Sequence, residues 1–290
     1  MARRAEPEES ASDRHYRRQL IANLVFEVVP LKSAHDAVAA LPPASTVSVT
    51  CSPVKGIAAT MALTDQIRAA GHRAVPHLAA RMVEGPDQVA HIAHWLRTEA
   101  VGQIFVVGGD ADHPAGPYSD GTSFLRALLD ANPGSTEIGV PAYPDGHPFL
   151  DGGVLAEALY TKQMLLSQAG VGGFVTTQMC FDPQRISDWL SEARTAGMTL
   201  PVHLGLPGVI DRAKLMTMGV RLGVGASLRY LRKNRGAMGK LLSSSSYDPN
   251  RLLEPLSPVL EPLGIEGLHC FTFNQVEATV AWQQGALAQV

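Results

Sequence analysis

IGVPAYPDGHPFLDGGVLAEALYTKQMLLSQ, residues 138–168, passes from an apolar strand through a polar turn into a helix. Apolar residues alternate with small ones over Ile138–Ala142, the pattern of a buried strand, and Pro144, Gly146 and Pro148 stop it and fix the loop. From Gly153 to Gln168 the apolar period lengthens to that of a helix. Tyr143, Asp145 and His147 gather where the strand stops, as at the rim of a site; taken alone, such a turn is equally a capped strand end with a solvated loop.

The same change of period recurs on both sides. Upstream, strands at Asn23–Pro30, Thr46–Cys51, Ala74–Leu78 and Gln103–Val107 alternate with helical patterns at Lys32–Ala40, Gly56–Ala70, Pro86–Thr98 and Ser123–Ala131. Downstream, Gly173–Thr177 leads to Pro183–Ala196, Pro201–Leu204 to helices after Gly208, and Leu268–Phe273 to Gln275–Ala288. Eight strand–helix units in 290 residues predict a single α/β domain, a (β/α)8 TIM barrel, with an open doubly wound sheet as the alternative. The barrel is expected over residues 21–290, behind a flexible leader at 1–20 and with a surface insertion around 233–249, where four serines, Ser243–Ser246, follow Gly236 and Gly239.

A chain that is 46% hydrophobic and 18% charged can bury a large core, and a net charge of −3 argues against a nucleic-acid surface. Arg229, Arg232, Lys233 and Arg235 make a short basic face, read as a solvated helix ahead of a phosphate contact. No apolar run reaches the roughly 18 residues of a membrane span. Cys51, Cys180 and Cys270 are an odd number without a C-x-x-C pair, which fits a reducing, cytoplasmic setting. Oligomeric state is not encoded in such composition.

In a barrel of this kind the chemistry sits at the carboxyl ends of the strands. Glu27, Thr50, Cys51, His77, Asp110, Tyr143, His147, Gln178, His203 and Asn274 stand there. A carboxyl group buried in the apolar run at Glu27 has its charged form disfavoured, which suits a general acid; a salt-bridged structural acid is the other reading. Gly108 and Gly109 before Asp110 allow close approach of backbone and ligand. His77, His147 and His203 match no zinc motif, so no metal is expected. Neither a G-x-G-x-x-G after the first strand nor a P-loop is present.

FEVVP at 26–30, VSVTCSP at 47–53, PHL at 76–78, GGD at 108–110, IGVPAYPDGHP at 138–148, TTQMCFD at 176–182 and LHCFTFN at 268–274 resemble, in order, motifs of the methylenetetrahydrofolate reductase family. The resemblance spans nearly the whole chain, and AYPDGHP and TQ-x-x-FD are its more specific parts. It implies a (β/α)8 barrel that reduces 5,10-methylenetetrahydrofolate to the 5-methyl compound. By position, Glu27 matches the acid that protonates N10 and opens the bridge to an N5 iminium. Asp110 matches the acid near the pterin, and Gln178 the glutamine that contacts folate and nicotinamide in turn. Arg212 joins Asp110 and Gln178 as a substrate contact, while Thr50, His77, Gly109, Tyr143 and His147 keep positions that line the family's flavin site.

Two departures bear on the cofactor. The flavin-dependent members have RGD where this chain has Gly108-Gly109-Asp110, and a basic pair on the helix before the TQ strand falls on Leu165 and Leu166. Charge-assisted hydrogen bonds are worth roughly 1.5–3 kcal/mol each, so the missing cations weaken a site for the FAD diphosphate; Lys162 stands elsewhere on that helix. The expectation is little or no FAD and hydride taken directly from NADH or NADPH. An FAD- or deazaflavin-using reductase and a non-catalytic folate-binding barrel are the alternatives.

Overall fold

The computed structural model describes residues 9–221 and 246–288. Eight parallel strands close into a barrel in sequence order, with β8 returning to β1. The strands are β1 (Val25–Val28), β2 (Thr46–Val49), β3 (Arg73–Ala79), β4 (Gln103–Val107), β5 (Glu137–Ala142), β6 (Gly173–Thr177), β7 (Val202–Pro207) and β8 (Ile265–Phe271). Ten helices are described: α1 (Ala11–Ala22), α2 (Ala34–Ala39), α3 (Gly56–Ala69), α4 (Pro86–Thr98), α5 (Gly121–Asp130), α6 (Gly152–Ala169), α7 (Pro183–Thr195), α8 (Arg212–Arg221), α9 (Asn250–Leu260) and α10 (Val276–Ala288). The single-barrel reading holds and the open sheet does not. Among the described residues no helix is long and apolar enough to cross a membrane.

The punctuation that ends each element is local chemistry. Pro86 and Pro183 open α4 and α7 at positions where a missing N–H costs nothing. Asp120, Asp151 and Asp182 accept backbone N–H bonds at the starts of α5, α6 and α7. Gly170, at φ +65°, closes α6 in the left-handed conformation.

One expectation is corrected at the amino end. Residues 11–20 are not a frayed leader but most of α1, opened by a capping box between Ser10 and Asp13. Leu20 and Ile21 are buried, the Tyr16 hydroxyl donates to the Ile265 carbonyl at 3.0 Å, and α1 packs on α9 and α10. Arginines dominate the window and hide the apolar stripe of Tyr16 and Leu20, four residues apart on one face. At the other end, β8 begins three residues earlier than its expected start, Leu268, and Phe273 lies beyond it at φ +50°. Most of the expected insertion at 233–249 lies outside the described residues; within it, Ser246 bridges Asp211.

Strand residues alternate between an outer layer under the helices and the barrel interior. Val75, Phe105 and Phe174 fill the interior, with Val107 against them. Gly139 makes this possible, since a Cβ there would come within 2.4 Å of the Phe174 ring and 2.7 Å of the Phe105 ring. The void left among Val25, Ser48, Gln103, Thr176, His203 and His269 is about 10 Å³, too small to admit a ligand. The barrel is plugged, so a ligand that meets the strand ends lies at its mouth.

Candidate active site

Closure of the barrel assembles the centre of the site. The β1–β8 register pairs Val25 with His269 and Glu27 with Phe271, so Glu27 and His269 are diagonal neighbours on the inner face. Glu27 is 7% exposed, and its Oε2 lies 3.0 Å from His269 Nε2. His77 approaches from β3 with Nε2 at 3.9 Å from the same oxygen and 2.6 Å from the Ser48 hydroxyl. The Thr272 hydroxyl donates to the Glu27 carbonyl. Glu27 is therefore not the lone buried acid that its apolar strand suggests.

Burial sets the charge states around it. His77 is pushed down to about 4, chiefly by burial; Glu27 opposes the shift and His269 adds to it. His203, stacked on Phe174 at 4.5 Å, is likewise pushed down to about 4 by burial and secondarily by His269. Both imidazoles are neutral at pH 7, so the His77 contact with Glu27 is not an ion pair. Glu27, His77 and His269 offer donor atoms all within 4.8 Å of one another and are, among the described residues, the set that could share a cation. That set differs from the His77, His147 and His203 trio considered from spacing; His203 instead fills the barrel beside Gly267.

Around the mouth, the other expected residues take distinct places. Asp110 is exposed after β4, and its negative charge acts on Tyr143 and His147. Burial raises the Tyr143 phenol and Asp110 adds to the rise; burial lowers His147 and Asp110 opposes it. Tyr143 and His147 meet edge to face at 5.2 Å. Gly109 has φ +91°, and a Cβ there would stand 2.9 Å from the Ala79 Cβ, so the turn carrying Asp110 lies tight against β3. Gln178 donates its backbone N–H to the Ala142 carbonyl, tying β6 to β5, and its side-chain oxygen accepts from the Met179 N–H.

Thr50 is half-buried just beyond β2, its carbonyl taking the Thr60 hydroxyl. Cys51 touches Met82 sulfur to sulfur at 3.6 Å, and burial raises its thiol. Asn274, at φ +61°, holds both the N–H and the carbonyl of Val29 through its side-chain amide, and so braces the β1–α2 loop. Arg212, at the start of α8, acts on Arg251; no hydrogen bond or ion pair among the described residues joins it to Asp110 or Gln178.

Two participants were not read from sequence: His269 and Ser48. His269 interrupts the apolar strand Ile265–Phe271 at an inward position, a usable signal, but its partner lies 242 residues away and only closure brings them together. Lys162 on α6 is 8% exposed, its Cε within 3.6 Å of where a Gly121 Cβ would be, at the amino end of α5. Burial lowers its ammonium and Asp120 opposes the shift; no hydrogen bond or salt bridge to it is present among the described residues.

No family model matches the chain. A curated protein of Saccharomyces cerevisiae, methylenetetrahydrofolate reductase 2, is 39% identical over 74 residues, which is 25% of this chain and 11% of the yeast protein. Among solved structures, an uncharacterised protein from Clostridium thermocellum that binds two copies of 5-methyl-5,6,7,8-tetrahydrofolic acid superposes with a TM-score of 0.60. It is 12% identical, with 93% of this chain and 97% of that chain covered, a likeness of fold. The local sequence match, with the ordered motifs, supports a divergent relative of the methylenetetrahydrofolate reductase family.

Proposed function

We propose that this barrel reduces 5,10-methylenetetrahydrofolate to 5-methyltetrahydrofolate, with hydride passed directly from NADH or NADPH. The observation that carries the reading is the buried Glu27 carboxyl, held by His269 at the mouth side of a plugged barrel, where the family resemblance places its acid. Glu27 gives a proton to N10 as the bond from N10 to the methylene carbon breaks, and the lone pair of N5 forms the iminium. Asp110 supplies negative charge toward that cation from the rim. Hydride from the nicotinamide then adds to the methylene carbon, and N5 recovers its lone pair. Gln178 holds the two ligands in register, and Arg212 is assigned to the folate.

An FAD diphosphate is poorly served. Leu166, at the place of one family cation, is 1% exposed in the core, and Leu165 packs beside it. Gly108 carries no side chain to replace the arginine. Lys162 could meet the diphosphate of the hydride donor instead; the amino end of α5 beside it is already capped by Asp120. A non-catalytic folate-binding barrel is the second reading, and one observation favours it: the folded neighbour from Clostridium thermocellum is known as a binder of the 5-methyl compound.

The absorption spectrum of the freshly purified protein, followed by NADH and methylenetetrahydrofolate in the same cuvette, tests these readings. A colourless protein that oxidises NADH only when the folate is present is the expected result. A stoichiometric flavin band would return the chain to flavin chemistry, and a colourless inactive protein that binds 5-methyltetrahydrofolate would leave the binding reading.

A further inference from the structure

Phe149 is 88% exposed, an unusual position for a phenylalanine, and it lies in the loop that follows Tyr143 and His147. Its ring meets His147 at 5.8 Å and 66°, and His147 meets Tyr143 at 5.2 Å and 81°. The Phe149 N–H donates to His147 Nδ1 at 3.3 Å, which ties the backbone of the outer residue to the ring of the middle one. The three rings form a ladder from the field of Asp110 outward into solvent. Edge-to-face contact leaves a face of the outer ring bare.

The ladder changes character along its length. Its inner rungs end in a phenol and an imidazole, groups that hydrogen-bond sugars and phosphates. Its outer rung is purely apolar, and Leu150 and Val154, 47% and 50% exposed, follow it. The barrel interior admits no ligand, so a flat group reaching the strand ends lies outside it, where this ring ladder is exposed.

We propose that the bare face of Phe149 stacks the adenine ring of the dinucleotide hydride donor, with His147 and Tyr143 along its ribose and phosphate portion. The inference rests on the reductase reading for its ligand. A polar middle ending in a neutral planar ring matches the order of groups along the ladder. With the pterin and the nicotinamide assigned to the reacting centre, the p-aminobenzoyl ring of the folate is the competing flat group; it is followed by carboxylates, and Leu150, Asp151 and Val154 offer them no cation.

The experiment is calorimetric titration of the full chain, as wild type, Phe149→Ala and Phe149→Trp, with AMP and separately with p-aminobenzoylglutamate, beside the KM for NADH. Phe149→Ala is expected to weaken AMP about tenfold, the scale of one lost base–aromatic stack, and to raise the KM for NADH in step. Phe149→Trp should retain AMP, and p-aminobenzoylglutamate should not distinguish the three proteins. Equal AMP affinity in all three proteins, or none in the wild type, overturns the proposal. A loss confined to p-aminobenzoylglutamate overturns the adenine assignment and moves the stack to the folate. Phe149-dependent AMP binding without folate-dependent NADH oxidation would keep the ladder and remove the reductase reading.

Discussion

Glu27 Oε2 and His269 Nε2 meet at 3.0 Å across the seam where β8 closes onto β1, so the candidate acid is oriented by the last strand of the barrel. Glu27→Gln keeps the shape and removes the proton. General acid catalysis contributes about 10²–10⁴-fold, and kcat should fall within that range while 5-methyltetrahydrofolate binds as before. His269→Leu leaves the buried carboxyl without this hydrogen-bond partner, at a cost of about 1–3 kcal/mol, and should lower both the melting temperature and kcat. His269→Gln restores a hydrogen-bonding partner and should recover part of each. Steady-state rates and thermal melts decide; wild-type values in His269→Leu would dissolve the pair's role.

Acid should loosen the fold through the two buried imidazoles. His77 and His203 are each held down to about 4 from an ordinary 6.5, mainly by burial. The unfolded chain then binds more protons than the folded one between those values, so their contribution is intact above about pH 6.5 and is lost as the pH falls toward 4. Each histidine adds at most roughly 1.4 kcal/mol per pH unit to the slope. Urea melts from pH 5 to 8 should show stability rising with pH, and the double variant His77→Gln, His203→Gln should flatten the rise. An unchanged slope would place the acid sensitivity elsewhere.

Periodicity reached the barrel because each unit is local: β4, β6 and α4 begin and end at the residues their apolar runs and flanking Gly102, Gly108 and Pro86 indicate. It did not reach α1, whose apolar stripe is short and arginine-rich. Strand ends point to Glu27, His77, Tyr143 and His147 but not to a partner for Glu27, because the His269 that meets it is a property of closure. They also point to Asn274, whose side chain braces the backbone at Val29. A polar residue at a strand end marks the mouth; which polar residues touch depends on register.

Gly109 sits under a double constraint that Gly108 escapes. At φ +91° a side chain costs about 1–2 kcal/mol, and the new Cβ would stand 2.9 Å from the Ala79 Cβ, which must move. Gly109→Ala should therefore shift the turn that carries Asp110, lower the melting temperature and raise the KM for the folate. A Cβ at Gly108 meets nothing within 4 Å, so Gly108→Ala should melt as the wild type does. Equal melting of the two variants would mean that the Gly109 turn is not held against β3.

Lys162 separates stability from function. A buried ammonium without a hydrogen-bonding partner among the described residues disfavours the fold, so Lys162→Met should melt at or above the wild-type temperature. If the ammonium holds the diphosphate of the hydride donor, the same variant loses one charge-assisted hydrogen bond, and the KM for NADH should rise about tenfold or more. Lys162→Arg would retain charge but not shape, since the space beside Gly121 is narrow, and should recover affinity only in part. The two readouts move in opposite directions only for a cation kept for a ligand. A Lys162→Met protein that is less stable and binds NADH normally would make Lys162 a structural partner of Asp120 and leave the diphosphate to other groups.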